Sequence, residues 1–141
     1  MSDPLRVAFV CVRNAGRSQM ATAFAERELA RRGLDGRVEL VTGGTRPADA
    51  VHEEVIDAMR EEGVDLSGRT PRAVEQDELA ACDYVVTMGC STLSLDGSVD
   101  ARDWALPDPG GKSPAEVGEI RDRVRERVAA LFDELEAELD G

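Results

Sequence analysis

Residues 11–18 read CVRNAGRS. The stretch opens on a cysteine, reaches an arginine six positions later and ends on a serine. Asn14, Ala15 and Gly16 between them are small or turn-tolerant. Just upstream, residues 5–12 (LRVAFVCV) are a short apolar run rich in branched and aromatic residues, the pattern of a buried strand. Just downstream, residues 17–32 carry Met20, Ala21, Phe24, Ala25 and Leu29 at helical spacing, and Gly33 ends the run. A strand, a tight loop and a helix therefore follow one another directly, and this succession sets the reading of the whole chain.

Working outwards, the same alternation continues. Residues 38–42 (VELVT) predict a second strand, stopped by Gly43 and Gly44. Residues 48–62 place Val51, Val55, Ile56 and Met59 on one helical face and end at Gly63. A short helix over 74–81 leads into a third strand at 83–88 (DYVVTM), and 99–106 (VDARDWAL) predicts a fourth. The longest helix spans 114–139, its apolar stripe running from Val117 through Ile120, Val124, Val128, Leu131 and Leu135. Strands alternating with helices imply parallel βαβ units in one α/β domain over residues 1–141, with helices on both faces of the sheet. Ligands in such folds sit beyond the carboxyl ends of the strands. Cys11 ends the first strand, Cys90 lies just past the third and Asp108 just past the fourth, so the three are expected to converge on one crevice.

Composition narrows the functions. The chain has 141 residues and a net charge of -12. That charge argues against nucleic acid as a main partner, which needs a basic face. No run of about 20 apolar residues spans a membrane, and the acidic start MSDP is unlike a signal peptide, so a cytoplasmic location is expected. Lys112 is the only lysine against 16 arginines. Acidic excess with so little lysine fits a halophilic cytoplasm, and equally a GC-rich genome. Cys11, Cys82 and Cys90 are the only cysteines and His52 the only histidine, with no CxxC. Zinc sites and histidine triads have little to draw on, so no metal is expected. The odd cysteine count points to thiol chemistry or burial.

The loop has a chemical logic. Backbone N–H groups of Val12, Arg13, Asn14, Ala15 and Gly16, entering a helix N-terminus, can form an anion nest. Arg17 adds a planar fork suited to two oxygens of a tetrahedral oxyanion. The same positive field favours the thiolate form of Cys11, and Ser18 can donate a hydrogen bond to its sulfur. Asn14 can brace the loop, because asparagine tolerates left-handed backbone and bonds locally. Taken by position alone, Cys11 is an inert strand cysteine; with Arg17 and Ser18 beside it, a nucleophile is the better reading. Asp108, in PDPGG, is either a turn aspartate or a proton donor to a leaving oxygen, with Asp103 its nearest rival. Cys82 and Trp104 read as packing residues, and His52 as a surface or capping residue at the start of its helix.

CVRNAGRS resembles the Cys-x5-Arg-Ser signature of the low-molecular-weight tyrosine phosphatase superfamily, whose second branch is the arsenate reductases. The resemblance runs on through residues 43–72, through DYVVTMGC (83–90) and into DWALPDPGGKS (103–113). It implies a four-stranded parallel sheet with helices on both faces. It also implies Cys11 as nucleophile, Arg17 as oxyanion ligand and Asp108 as general acid. The reductase branch resolves its Cys adduct with a second thiol, where a phosphatase uses water. Cys90 stands where that branch carries its first redox cysteine, and glycines follow Asp108–Pro109 where phosphatases carry aromatics. These features favour arsenate reductase, with a phosphatase as the alternative. CSTLSLDGSVD (90–100) lacks the further cysteine of a three-thiol relay. Two routes stay open: a Cys11–Cys90 disulfide reduced by an external thioredoxin- or glutaredoxin-like protein, or attack by a small cellular thiol. No bound cofactor is expected, and the anticipated ligand is arsenate or phosphate.

Overall fold

The computed structural model describes residues 4–88 and 99–140. Four strands, β1 (Leu5–Cys11), β2 (Val38–Gly44), β3 (Tyr84–Met88) and β4 (Asp100–Asp103), form one all-parallel sheet in the order β2-β1-β3-β4. Four helices connect or follow them: α1 (Arg17–Arg32), α2 (Glu53–Arg60), α3 (Gln76–Ala80) and α4 (Pro114–Asp140). The α/β expectation of a four-stranded parallel sheet with helices on both faces is borne out.

The pleat explains both faces. Val7, Phe9 and Cys11 point into the larger apolar cluster, shared with Met20 and Phe24 of α1, Val55 and Met59 of α2, and Val124, Val128, Phe132 and Leu135 of α4. Ala8, Val10 and Val85 point the other way, onto Leu79 of α3, Cys82 and Val99. Both sides of β1 are apolar because neither meets water. Trp104 is buried against Phe9, their rings 6.0 Å apart, as expected of a packing residue.

α1 ends where Gly33 turns to φ 67°, a conformation glycine adopts freely, and its N–H reaches back to Ala30 O while Leu34 N–H takes Leu29 O. Its last turn is clamped to α4 by Arg32, which donates to Glu28, Asp133, Glu136 and Ala129 O.

Two elements differ from the sequence expectation. α2 begins at Glu53 and not at residue 48, because Thr45, Arg46, Ala48 and His52 spend their N–H groups on the neighbouring loop. β4 covers only Asp100–Asp103, since Trp104 N–H takes a last bond to Thr87 O and the chain then turns into its proline-flanked loop. Cys90 lies outside the described residues.

Candidate active site

The loop after β1 is built by satisfying its carbonyls from outside. Cys11 O accepts from Thr45 N–H, Val12 O from Arg46, Arg13 O from Ala48 and Ala15 O from His52; Asn14 O accepts from the Gln19 side chain and Gly16 O from Met20 N–H. With every carbonyl from 11 to 16 engaged outwards, the N–H groups of Arg13, Ala15 and Gly16 have no protein acceptor among the described residues. The loop thus offers unpaired donors at the N-terminus of α1, a geometry suited to binding an anion.

Asn14 is the keystone. Its φ is 52°, the only non-glycine positive φ among the described residues, and it is fully buried. Its side-chain N–H groups donate to Ser18 Oγ (2.7 Å) and Thr42 Oγ1 (2.9 Å), and its Oδ1 accepts from Gln19 Nε2 and Arg72 N–H, both at 3.1 Å. Gln19 Oε1, also buried, has no hydrogen-bond partner among the described residues. Gln19, Thr42 and Arg72 are parts of the site that the sequence reading missed. The signal for Gln19 was its place alone: a polar residue two positions after Arg17, in the first turn of α1.

Two donors converge on the Cys11 sulfur. Ser18 Oγ stands 2.8 Å away, and Asn14 N–H points at it from 3.2 Å. Since Ser18 Oγ already accepts from Asn14, its own hydrogen is free to turn to the sulfur. Cys11 is 2% exposed but not sealed in hydrocarbon. It lines a cavity of about 160 Å³ with Val12, Arg13, Gly16, Arg17, His52 and Asp108. Pockets for drug-sized ligands begin near ~300 Å³, so this one suits a small ion. A larger groove of about 430 Å³ between Leu106 and Arg127 is lined by no cysteine among the described residues.

Arg17 is half-buried on the cavity wall, with Nη1 donating to Leu106 O at 2.8 Å. One nitrogen of the fork is thus tied to the loop that carries Asp108. That loop packs directly on the nest: a Cβ on Gly16 would stand 2.7 Å from Pro109 Cγ. Asp108 is exposed, its Oδ1 accepting from Gly110 N–H at 2.9 Å. Asp103 is not a cavity residue; it accepts from Thr87 Oγ1 on the sheet. From beneath, Gly44 is required, because a Cβ there would meet Val12 O at 2.6 Å and Asn14 N at 2.9 Å, both main-chain atoms.

Cys82 is buried at the opposite end of β3, its thiol donating to Glu78 O, and burial pushes its pKa up. That is the packing role expected of it. His52, expected on the surface or as a cap, is the N-cap residue of α2, though its side chain makes no capping bond, and this half-buried residue also lines the cavity wall. Among the described residues there is no cluster of His, Cys, Asp and Glu able to hold a metal ion, and no helix long and apolar enough to cross a membrane.

Known proteins are similar to this chain in sequence and in fold. A Halobacterium salinarum protein with the provisional name arsenate reductase is 64% identical over 92% of each chain. The glutaredoxin arsenate reductase of Synechocystis is 34% identical over 90% of this chain and 95% of that one. The solved thioredoxin-dependent arsenate reductase of Corynebacterium glutamicum superposes with a TM-score of 0.80 at 30% identity, covering 98% of this chain and 65% of that one. Residues 6–95, from the first strand past the nest to Leu95, match the low molecular weight phosphotyrosine protein phosphatase model, and the chain belongs to that family.

Proposed function

We propose that the chain is an arsenate reductase acting through Cys11. The observation that carries this reading is the small cavity in which the Cys11 sulfur, the unpartnered loop N–H groups, Arg17 and Asp108 meet. Arsenate enters as a tetrahedral anion and its oxygens take the loop N–H groups and Arg17. The Cys11 thiolate attacks arsenic, an As–O bond breaks, and Asp108 gives its proton to the departing oxygen. A second thiolate then attacks the Cys11 sulfur. The S–As bond breaks with its electron pair staying on arsenic, which leaves as arsenite, and the two sulfurs are oxidised to a disulfide. An external thioredoxin- or glutaredoxin-like dithiol, or a small thiol, supplies the two electrons that restore Cys11. The redoxin-dependent relatives in Synechocystis and Corynebacterium support an external reductant. Cys90 is the internal candidate for the second thiol. The setting is a salt-rich cytoplasm, in keeping with the net charge of -12.

The test is arsenite production with a panel of small thiols, thioredoxin and glutaredoxin, on wild type, Cys11→Ser and Cys90→Ser. Cys11→Ser abolishes turnover with every reductant; residual arsenite formation above background would rule out the mechanism. Loss of redoxin-driven turnover in Cys90→Ser identifies Cys90 as the resolving thiol, and wild-type turnover there assigns that step to the external thiol. Steady hydrolysis of an aryl phosphate, with no arsenite from any reductant, would instead make the chain a phosphatase.

A further inference from the structure

Of the cavity's lining residues, Cys11, Val12, Arg13, Gly16 and Arg17 belong to the nest and its helix start, and Asp108 to the acid loop. Among the described residues His52 alone comes from elsewhere, and among them it supplies the only imidazole or aromatic ring on the wall. Its position is fixed by its own backbone. His52 N–H donates to Ala15 O at 3.0 Å, and His52 O accepts from both Val55 and Ile56 N–H as α2 begins. The extended conformation at His52 (φ -61°, ψ 134°) directs the chain from the nest into the helix.

The acid loop accommodates this ring at one point. A Cβ on Gly110 would lie 3.3 Å from His52 Nε2 and 3.3 Å from Asp108 Oδ1. The glycine after Asp108–Pro109, which in sequence suggests a bare slot beside the acid, therefore does not leave space open. The imidazole occupies it. A ring attached to a bound oxyanion, leaving between Asp108 and α2, would have to pass through the same volume.

We infer that His52 is the specificity-determining wall of the cavity, admitting a free tetrahedral oxyanion and obstructing an ester that carries an aromatic ring. This deepens the arsenate reading and rests on it for the identity of the ion. The cause is steric: a half-buried imidazole, on a backbone fixed at both its main-chain groups, stands 3.3 Å from where a Cβ on Gly110 would lie. Arg13 and Arg17 attract arsenate and aryl phosphate alike, so charge does not separate the two ligands; volume does.

The experiment compares p-nitrophenyl phosphate hydrolysis with competitive inhibition of that hydrolysis by arsenate, in wild type, His52→Ala and His52→Gln. Removing the ring raises kcat/KM for the aryl ester at least tenfold while the arsenate Ki moves less than threefold. His52→Gln, which refills most of the volume, returns the aryl activity towards wild type. Unchanged or reduced aryl hydrolysis in His52→Ala overturns the inference, because the imidazole would then assist the ring or the acid. Should the alanine variant fail to fold by circular dichroism, His52→Ser carries the same comparison. Hydrolysis and inhibition need only Cys11 and the pocket, so they read His52 independently of arsenite formation. A chain that makes no arsenite defeats the reductase reading and leaves this measurement standing.

Discussion

Asn14 occupies a backbone conformation that asparagine tolerates better than most residues, and every polar atom of its amide is used. Two demands therefore coincide at one position, and they can be separated. Asn14→Gly keeps the positive φ at no steric cost but removes the bonds to Ser18, Thr42, Gln19 and Arg72 N–H. Asn14→Ala loses the bonds and strains the backbone as well. We expect the glycine variant to be destabilised by about 1–3 kcal/mol, the cost of leaving buried partners unpaired, and the alanine variant by about 1 kcal/mol more. Both should lose at least tenfold in kcat/KM, because Ser18 is no longer held against the Cys11 sulfur. Chemical denaturation and steady-state kinetics measure the two effects, and full activity in Asn14→Gly would show that the amide braces nothing. The convergence of Cys11, Arg17, Ser18 and Asn14 was legible because they sit in one contiguous loop whose contacts are local. Gln19 was legible in principle, since it stands on the same helix. Thr42, Arg72 and His52 were not, because they reach the loop from 28 or more positions away, Thr42 through its hydroxyl and Arg72 and His52 through main-chain N–H groups, and such long-range bonds leave no periodic pattern.

Elements show the same division between local and distant causes. α1 is readable to the residue at both ends, from the loop that starts it and Gly33 that stops it. α2 was expected to start five residues early, because Val51 continues its apolar spacing; Val51 is buried, but in the extended segment that straps the nest. Periodicity reports burial, and it cannot tell a helical turn from a strap whose N–H groups are spent elsewhere. The tie between β3 and α4 offers a clean measurement on this scale. Tyr84 donates its hydroxyl hydrogen to Glu138, and that bond together with burial pushes its pKa up to about 12. The unfolded chain would titrate near ~10. Since the folded value is the higher, the stabilisation is whole below about pH 10 and is lost as pH rises towards 12. Tyr84 is the only tyrosine and Lys112 the only lysine, so few other groups confuse this window. Melting temperature should fall more steeply above pH 10 in wild type than in Tyr84→Phe, and tyrosinate absorbance should report the single titration directly. Parallel falls in the two proteins would mean that the Tyr84–Glu138 bond does not persist in solution.

For the whole molecule, alternation of apolar runs was enough to give the parallel sheet, because each βαβ unit carries its own handedness and burial requirements. It did not give the strand order β2-β1-β3-β4 or say which helices share a face; those depend on side chains that pack across the chain, such as Phe9 with Trp104. Charge acts on the same scale. The arginines that can reach a carboxylate largely do: Arg32 on α1, Arg102 on β4 and Arg121 and Arg125 on α4 all bind acidic partners. A net charge of -12 nevertheless leaves many carboxylates repelling one another over the surface. Added salt acts on the two populations in opposite ways. It weakens exposed ion pairs, each worth about 0–1 kcal/mol, and it screens the long-range repulsion of the acidic excess. The Debye length falls from about 10 Å at 0.1 M to about 3 Å at 1 M, shorter than most separations between unpaired surface charges but comparable to the contact distance within a pair. Repulsion is therefore screened more completely than pairing. Melting temperature should rise by several degrees between 0.05 and 1 M potassium chloride at pH 7.5, a salt chosen for its weak direct effect on apolar burial. The rise should shrink as pH is lowered towards the isoelectric point near 4.5, where the excess charge disappears. A melting temperature that falls with salt at pH 7.5 would mean that the arginine–carboxylate pairs, and not the unpaired acids, dominate the electrostatics of the folded chain.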